Sequence, residues 1–150
     1  MEERRCSLLD TDYELVVESC LLAGRLMMES GAETYRAEDT MDRMAISQEL
    51  TQSQSFVTPT GIIFSGNKNL PTRLVRINAR TTDLGKIASV NNVSRKLAFR
   101  DITIEEAYSE LKQIEDEHKT YPFWIQIVAA AIASGAFLLL FSFGIYIISL

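Results

Sequence analysis

His118 is the single histidine of this sequence, and an imidazole that titrates near neutral pH could pass protons at a membrane surface. It also continues the apolar stripe of its own helix into the C-terminal turn, where a partly charged ring complements the helix dipole. A Ser-His-Asp or Cys-His arrangement would have to recruit this one residue from beside a bilayer, a poor place for an active site. Cys6 and Cys20 are too few for a disulfide framework and stand in no metal-type spacing, so they read as reduced thiols. Glu29, Glu33, Glu38, Asp39 and Asp42 could attract a divalent cation, yet their spacing matches no calcium loop and follows a solvated helix face. Arg73, Arg76 and Arg80 form a basic strand edge that could receive a carboxylate through bidentate guanidinium contacts. The same charges could instead keep an edge strand from pairing. No spacing points to a catalytic set, a metal ion or a cofactor.

The elements that position these residues fall into two unlike parts. The net charge of −5 argues against a nucleic-acid surface, because phosphate binding requires clustered Lys and Arg. Every charged residue lies before Phe123, and the twenty-eight residues from Phe123 to Leu150 contain no Asp, Glu, Lys, Arg or His. That exceeds the roughly 20 apolar residues a bilayer-spanning helix requires. Tyr121, Phe123 and Trp124 stand where the run begins, as amphipathic rings do at the headgroup layer, and Pro122 suits a first helical turn. The chain opens Met-Glu-Glu-Arg-Arg-Cys rather than with a basic, apolar leader, so the part before the apolar run is expected to stay in the cytosol. The expected division is a cytosolic α+β domain over 1–121 and a transmembrane segment over 122–150.

Within the domain, Asp12 to Glu29 reads as a helix with Leu15, Ser19, Leu22 and Leu26 on one stripe, widened by Val16, Cys20 and Ala23. Ala23 and Gly24 would let another backbone come close. Ser30-Gly31-Ala32-Glu33 matches a capping box and predicts a second helix from Ser30 to about Leu50. Its inner side carries Thr34, Ala37, Met41, Met44 and Ala45, and Asp39 is placed to pair with Arg43. Phe56-Val57 and Ile62-Ile63-Phe64 then read as strands around the turn Thr58-Pro59-Thr60-Gly61, with a second turn at Gly66-Asn67-Lys68-Asn69. A third strand runs from Thr72 to Asn78, where Leu74-Val75 back to back suggests apolar contact on both faces. A small antiparallel meander is the economical sheet. Asp83 is a helix N-cap before Leu84, Ile87, Val90 and Leu97, and Thr103-Ile104-Glu105-Glu106 is another capping box. The helix it opens carries Ile104, Ala107, Tyr108, Leu111, Ile114 and His118 on one stripe. The predicted order is ααβββαα followed by a transmembrane helix.

In that last helix Ala131 and Gly135 lie four apart in a run of small residues, as in small-xxx-small contacts between membrane helices. The segment is expected to pack against other membrane helices, with Gln126 an anchor or interhelical hydrogen bond near the interface.

Together these residues resemble the threonine/serine exporter family, in which a cytosolic N-terminal domain precedes a bundle of membrane helices. The resemblance runs from about Leu15 to Phe141. It is carried by Gly24 to Leu26, by Glu29-Ser30-Gly31-Ala32-Glu33 with Arg36 and Glu38, and by Phe56-Val57-Thr58-Pro59-Thr60-Gly61-Ile62. Arg73 with Arg76, Thr82-Asp83-Leu84, Asn91, Tyr121 and Ala136-Phe137 extend it. It implies export of small polar metabolites, threonine and serine, or in split relatives dicarboxylates such as succinate, driven by the proton motive force across a prokaryotic inner membrane. It also marks Ser30, Gly31, Glu33, Arg36, Glu38, Thr58, Pro59, Thr60, Gly61, Arg73, Arg76 and Asp83 as substrate or domain contacts. The family continues into a Gly-Gly turn and further helices where this sequence reads Ser142-Phe143-Gly144. The expectation is therefore a fragment, a truncated member or a subunit, needing a companion membrane chain or further copies of itself. A tail-anchored interaction module is the alternative, and a membrane-tethered hydrolase stands behind both.

Overall fold

The first helix is the element around which the other helices of its own unit gather. In the computed structural model, which describes residues 2–67, 71–117 and 123–148 in backbone and 13–67, 71–117 and 123–141 in side chains, α1 spans Glu2–Glu29. It starts well before the expected Asp12, because once a helix is nucleated each added residue brings one more backbone bond. The remaining elements are α2 Thr34–Ser47, β1 Gln54–Thr58, β2 Gly61–Ser65, β3 Arg73–Arg76, α3 Leu84–Ala98, α4 Ile104–Asp116 and α5 Phe123–Ile148. The mixture of helices with a small three-stranded antiparallel sheet, order β1-β2-β3, is the one expected. The chain divides into two units, Met1–Glu117 and His118–Leu150.

In the first unit α1 packs against α2, α3, α4 and β2. The expected stripe is buried at Val16, Ser19, Cys20, Leu22, Ala23 and Leu26, while Leu15 is only half-buried, and Val17, Leu21, Met27 and Met28 extend burial round the helix. Gly24 explains how α2 and the sheet come so near. A Cβ there would stand 2.4 Å from Met41 Sδ and 3.2 Å from Ile62 Cδ1. Buried Ser19 returns its hydroxyl to Leu15 O at 2.7 Å, so no polar hydrogen is orphaned beside the apolar packing.

The corner after α1 is not the capping box expected. The Ala32 N–H donates to Met27 O at 2.9 Å and the Gly31 N–H to Met28 O at 3.2 Å, with Gly31 at φ +86°. This is a Schellman ending of α1, with glycine in the left-handed position and buried Met27 and Ala32 in the usual apolar places. Helix α2 begins only at Thr34, with Glu33 as a cap that makes no side-chain hydrogen bond to the backbone, and it ends at Ser47 rather than Leu50. The Glu33 carboxylate takes the Tyr35 hydroxyl instead, raising that phenol through the hydrogen bond and then through its charge. The other two capping signals hold: Asp83 Oδ1 accepts from Lys86 N at 2.9 Å, and Thr103 and Glu106 exchange both bonds of a capping box.

Helices α2 and α3 also end in Schellman geometry, but without glycine. Leu50 N donates to Ala45 O and Asp101 N to Lys96 O, and the left-handed positions are filled by Glu49, φ 66°, and Arg100, φ 61°. Helix α3 buries Ile87, Val90, Val93 and Leu97, whereas Leu84, placed on the inner stripe from sequence, is exposed. On α4, Ala107 and Leu111 are buried with Ile104, Tyr108 and Ile114 partly so; His118 lies outside the described residues, as do Lys68, Asn69, Tyr121 and Pro122. Arg25 of α1 pairs with Glu115 of α4, and Lys86 Nζ donates to Glu115 O at 3.1 Å. Partial burial raises the Glu115 carboxyl, but the Lys112 hydrogen bond and the charge of Arg25 outweigh it and hold the group below its ordinary range. A depressed carboxyl contributes stability above its unfolded pKa and loses it as the pH falls through the folded value, so this tie weakens only in acid.

Two substitutions separate the left-handed positions. Gly31→Ala forces a Cβ into left-handed backbone, where it would stand 2.9 Å from Thr81 O, and should destabilise the protein by at least about 1–2 kcal/mol. Arg100→Gly removes the same kind of strain and should stabilise by up to about 1 kcal/mol. Thermal unfolding of the full chain in detergent should show Tm moving in opposite directions; an unchanged Tm in Gly31→Ala would contradict the corner as drawn, and a fall in Arg100→Gly would contradict strain at the end of α3.

Candidate functional site

The residues marked by sequence separate into three places in the first unit. At the α1–α2 corner, Thr81 N donates to Glu29 O at 2.7 Å and Asp83 N to Ser30 O at 3.0 Å, so the segment entering α3 is stitched to the end of α1. Ser30 is buried, Gly31 has no room for a side chain, and Asp83 is spent on capping α3. Arg80 donates to Ala32 O at 3.4 Å. Ser30, Gly31 and Asp83 therefore come together as a structural junction, while Glu33 and Arg36 stand exposed beside it.

The second place is the seam between α2 and the sheet, and here the solvated-face reading is corrected for Glu38 and Asp42, while Glu33 and Asp39 are exposed as expected. Glu38 Oε1 accepts from Val57 N at 2.8 Å, and Asp42 Oδ1 accepts from Ser55 Oγ at 2.8 Å. The two carboxylates are one helical turn apart and grip the outer edge of β1, which would otherwise present unpaired backbone groups. Asp39, on the neighbouring face, pairs with Arg43 as expected, and Arg43 reaches Ser94 Oγ at 3.3 Å. Thr40 meets Asn91 at 3.3 Å, which joins α2 to α3. Among the described residues no three His, Cys, Asp or Glu side chains converge as metal ligands would.

The third place is the hairpin and the β3 edge. Thr58 and Gly61 face each other across the two-residue loop Pro59-Thr60, and Thr58 Oγ1 both accepts from Gly61 N at 3.0 Å and donates to Gly61 O at 2.8 Å. Thr60 O accepts from Ile77 N at 3.0 Å, extending the tie beyond β3. The three arginines do not form one carboxylate receiver. Arg73 is engaged by Glu14 of α1 at 2.9 Å, Arg80 turns to the corner, and Arg76 is exposed on β3. The adjacent Leu74 and Val75 were read as apolar on both faces; Val75 packs on the core, but Leu74 is exposed.

Cys20 is wholly buried, and burial, with the charge of Asp42 adding to it, pushes the thiol up to about 12, so it stays protonated. An open cleft of about 500 Å³ lies where the ends of α2 and α3 meet the start of α4. It is lined by Glu49, Arg100 and Thr103 among others and contains none of the marked residues. Sequence reasoning missed the Glu38 and Asp42 clasp, although the spacing of two acids on the flank of buried Met41 was a signal for it.

The second unit is α5, whose described side chains are all exposed and which is long and apolar enough to cross a membrane. Within it Phe137 and Phe141 stack one turn apart with centroids at 5.3 Å, and a side chain at Gly135 would meet nothing within 4 Å. A small helix-and-sheet unit is thus carried in one chain with a helix long and apolar enough to cross a membrane.

Comparison with known proteins gives the family. The model of the threonine/serine exporter family, ThrE, matches residues 18–149, and the chain belongs to that family, a family of transporters. No curated protein and no solved structure matches the sequence.

The clasp on β1 can be tested directly. Glu38→Ala leaves the Val57 amide without its charged acceptor and should cost about 1.5–3 kcal/mol, with faster hydrogen exchange at Val57. Glu38→Gln, which keeps an acceptor, should lose much less; an unchanged Val57 exchange rate in the alanine variant would refute the clasp.

Proposed function

We propose that this chain is the domain-bearing part of an exporter that moves small polar metabolites, threonine and serine or a dicarboxylate such as succinate, out of a prokaryotic cell. The family match carries this reading, because it takes in the α+β unit and α5 together. Helix α5 sits in the inner membrane, the first unit stands in the cytoplasm, and the proton motive force drives transport. One helix encloses no path, so α5 packs with further membrane helices through the face that carries Ala131 and Gly135. Lipid tails are as apolar as the helix, and close backbone approach over small residues is what makes such contacts favourable. The first unit is a scaffold whose marked residues mostly hold the fold. Exposed Arg36 and Arg76 are left to meet an anionic substrate group or a membrane partner.

Efflux of labelled threonine, serine and succinate from loaded cells tests this. Cells lacking the gene should lose efflux of at least one of the three, and collapsing the proton gradient should do the same to wild type. Gly135→Leu should still insert but should fail to co-purify its partner helices and lose efflux several-fold. Unchanged efflux of all three compounds in the deletion strain would refute the transport reading.

A further inference from the structure

The sheet has two apolar faces, and only one of them is used by the core. Val57, Ile62 and Phe64 point inward and are buried. On the other side Phe56, Ile63 and Leu74 are 60%, 41% and 70% exposed. These three are not scattered. Phe56 is the register partner of Ile63, and Ile63 that of Leu74, so they form one continuous row across all three strands. The rows on either side are Thr58, Gly61 and Arg76, and Gln54 with Ser65. In a chain of net charge −5, the strand residues that share this face include no carboxylate and one free-standing cation, Arg76.

We propose that this outer sheet face docks on the anionic headgroup layer of the bilayer, with the Phe56–Ile63–Leu74 row in the interface and Arg76 against lipid phosphate. The proposal rests on the reading that α5 spans that bilayer. An aromatic and two aliphatic side chains beside a cation are the composition of an interfacial anchor, and the inner leaflet supplies the opposite charge. The row is small for a protein partner: three large side chains cover roughly a few hundred Å², below the ~800 Å² each side of a standard protein interface. A second copy would also bring Arg76 towards Arg76. A bilayer makes neither demand. Because α5 is in the same chain, the bilayer is always present at high effective concentration, and a weak surface suffices when association is already intramolecular.

The test uses the full chain with Cys6→Ser and Gln54→Cys, the new thiol carrying an environment-sensitive fluorophore at the rim of the row, with buried Cys20 spared by its burial. One chain is placed per nanodisc, in phosphatidylcholine alone or with phosphatidylglycerol, and a lipid-attached quencher is added. The expected result is a blue-shifted emission quenched several-fold more in the anionic discs, while the same label at Asn92→Cys, exposed on α3, stays aqueous. Leu74→Glu should restore aqueous emission, and Arg76→Glu should remove the preference for anionic lipid. Both positions are exposed, so neither change disturbs the core. Aqueous emission in anionic discs would overturn the docking alone. A shift that requires two chains per disc would assign the face to a second copy and overturn it too. A chain that fails to enter discs at all would overturn both this inference and the membrane reading of α5.

Discussion

From Val16 to Ser30 only Glu18, Arg25 and Glu29 escape burial, and a helix buried on so many sides obliges the rest of the unit to surround it. Its neighbours are placed by a few specific physical devices. Helix α2 and strand β2 come close because Gly24 has no side chain to hold them off. Helix α4 is tied through Arg25 and Glu115, and β3 through Glu14 and Arg73. The end of the helix is set by Gly31, and the backbone there receives Thr81 and Asp83, so the start of α3 is fixed by the same corner that ends α1. Apolar burial supplies the drive, while these few polar and steric details fix which neighbour lies where.

Much of this was readable from local pattern, because the buried faces of α1 and α2 follow helical spacing and the strands β1 and β2 follow from β-branched and aromatic residues around a turn. The Asp83 and Thr103 caps were readable for the same reason: their donors and acceptors lie within one turn. The Ser30 corner was not, since Ser-x-x-Glu is satisfied equally by a helix start and by the last residues of a helix that ends in glycine. The corner is held by long-range bonds, from Thr81 N to Glu29 O and from Asp83 N to Ser30 O, which no local pattern contains. Glu38 and Asp42 were misread for a related reason. An acid on a helix flank looks solvated until a strand edge arrives beside it, and β1 is brought there by the hairpin, not by α2. Leu74 was over-assigned because two apolar neighbours in a strand must point to opposite faces, and here only one of those faces has a covering layer.

The marked family residues acquire a common meaning from this geometry. Ser30, Gly31 and Asp83 hold a corner, Glu38 holds a strand edge, Thr58 and Gly61 close a hairpin, and Arg73 ties that sheet to α1. Many polar side chains of the first unit hold its elements together, and Cys20 is shut in its core.

The orientation of the chain in the membrane bears most directly on this account. A reporter active only in the cytoplasm, fused at Met1, should be active, and one active only outside the inner membrane, fused after Leu150, should also be active, with the protein resisting extraction by alkaline carbonate. An externally active reporter at Met1, or release of the protein by carbonate, would contradict the assignment of α5 as a membrane span carrying a cytoplasmic domain.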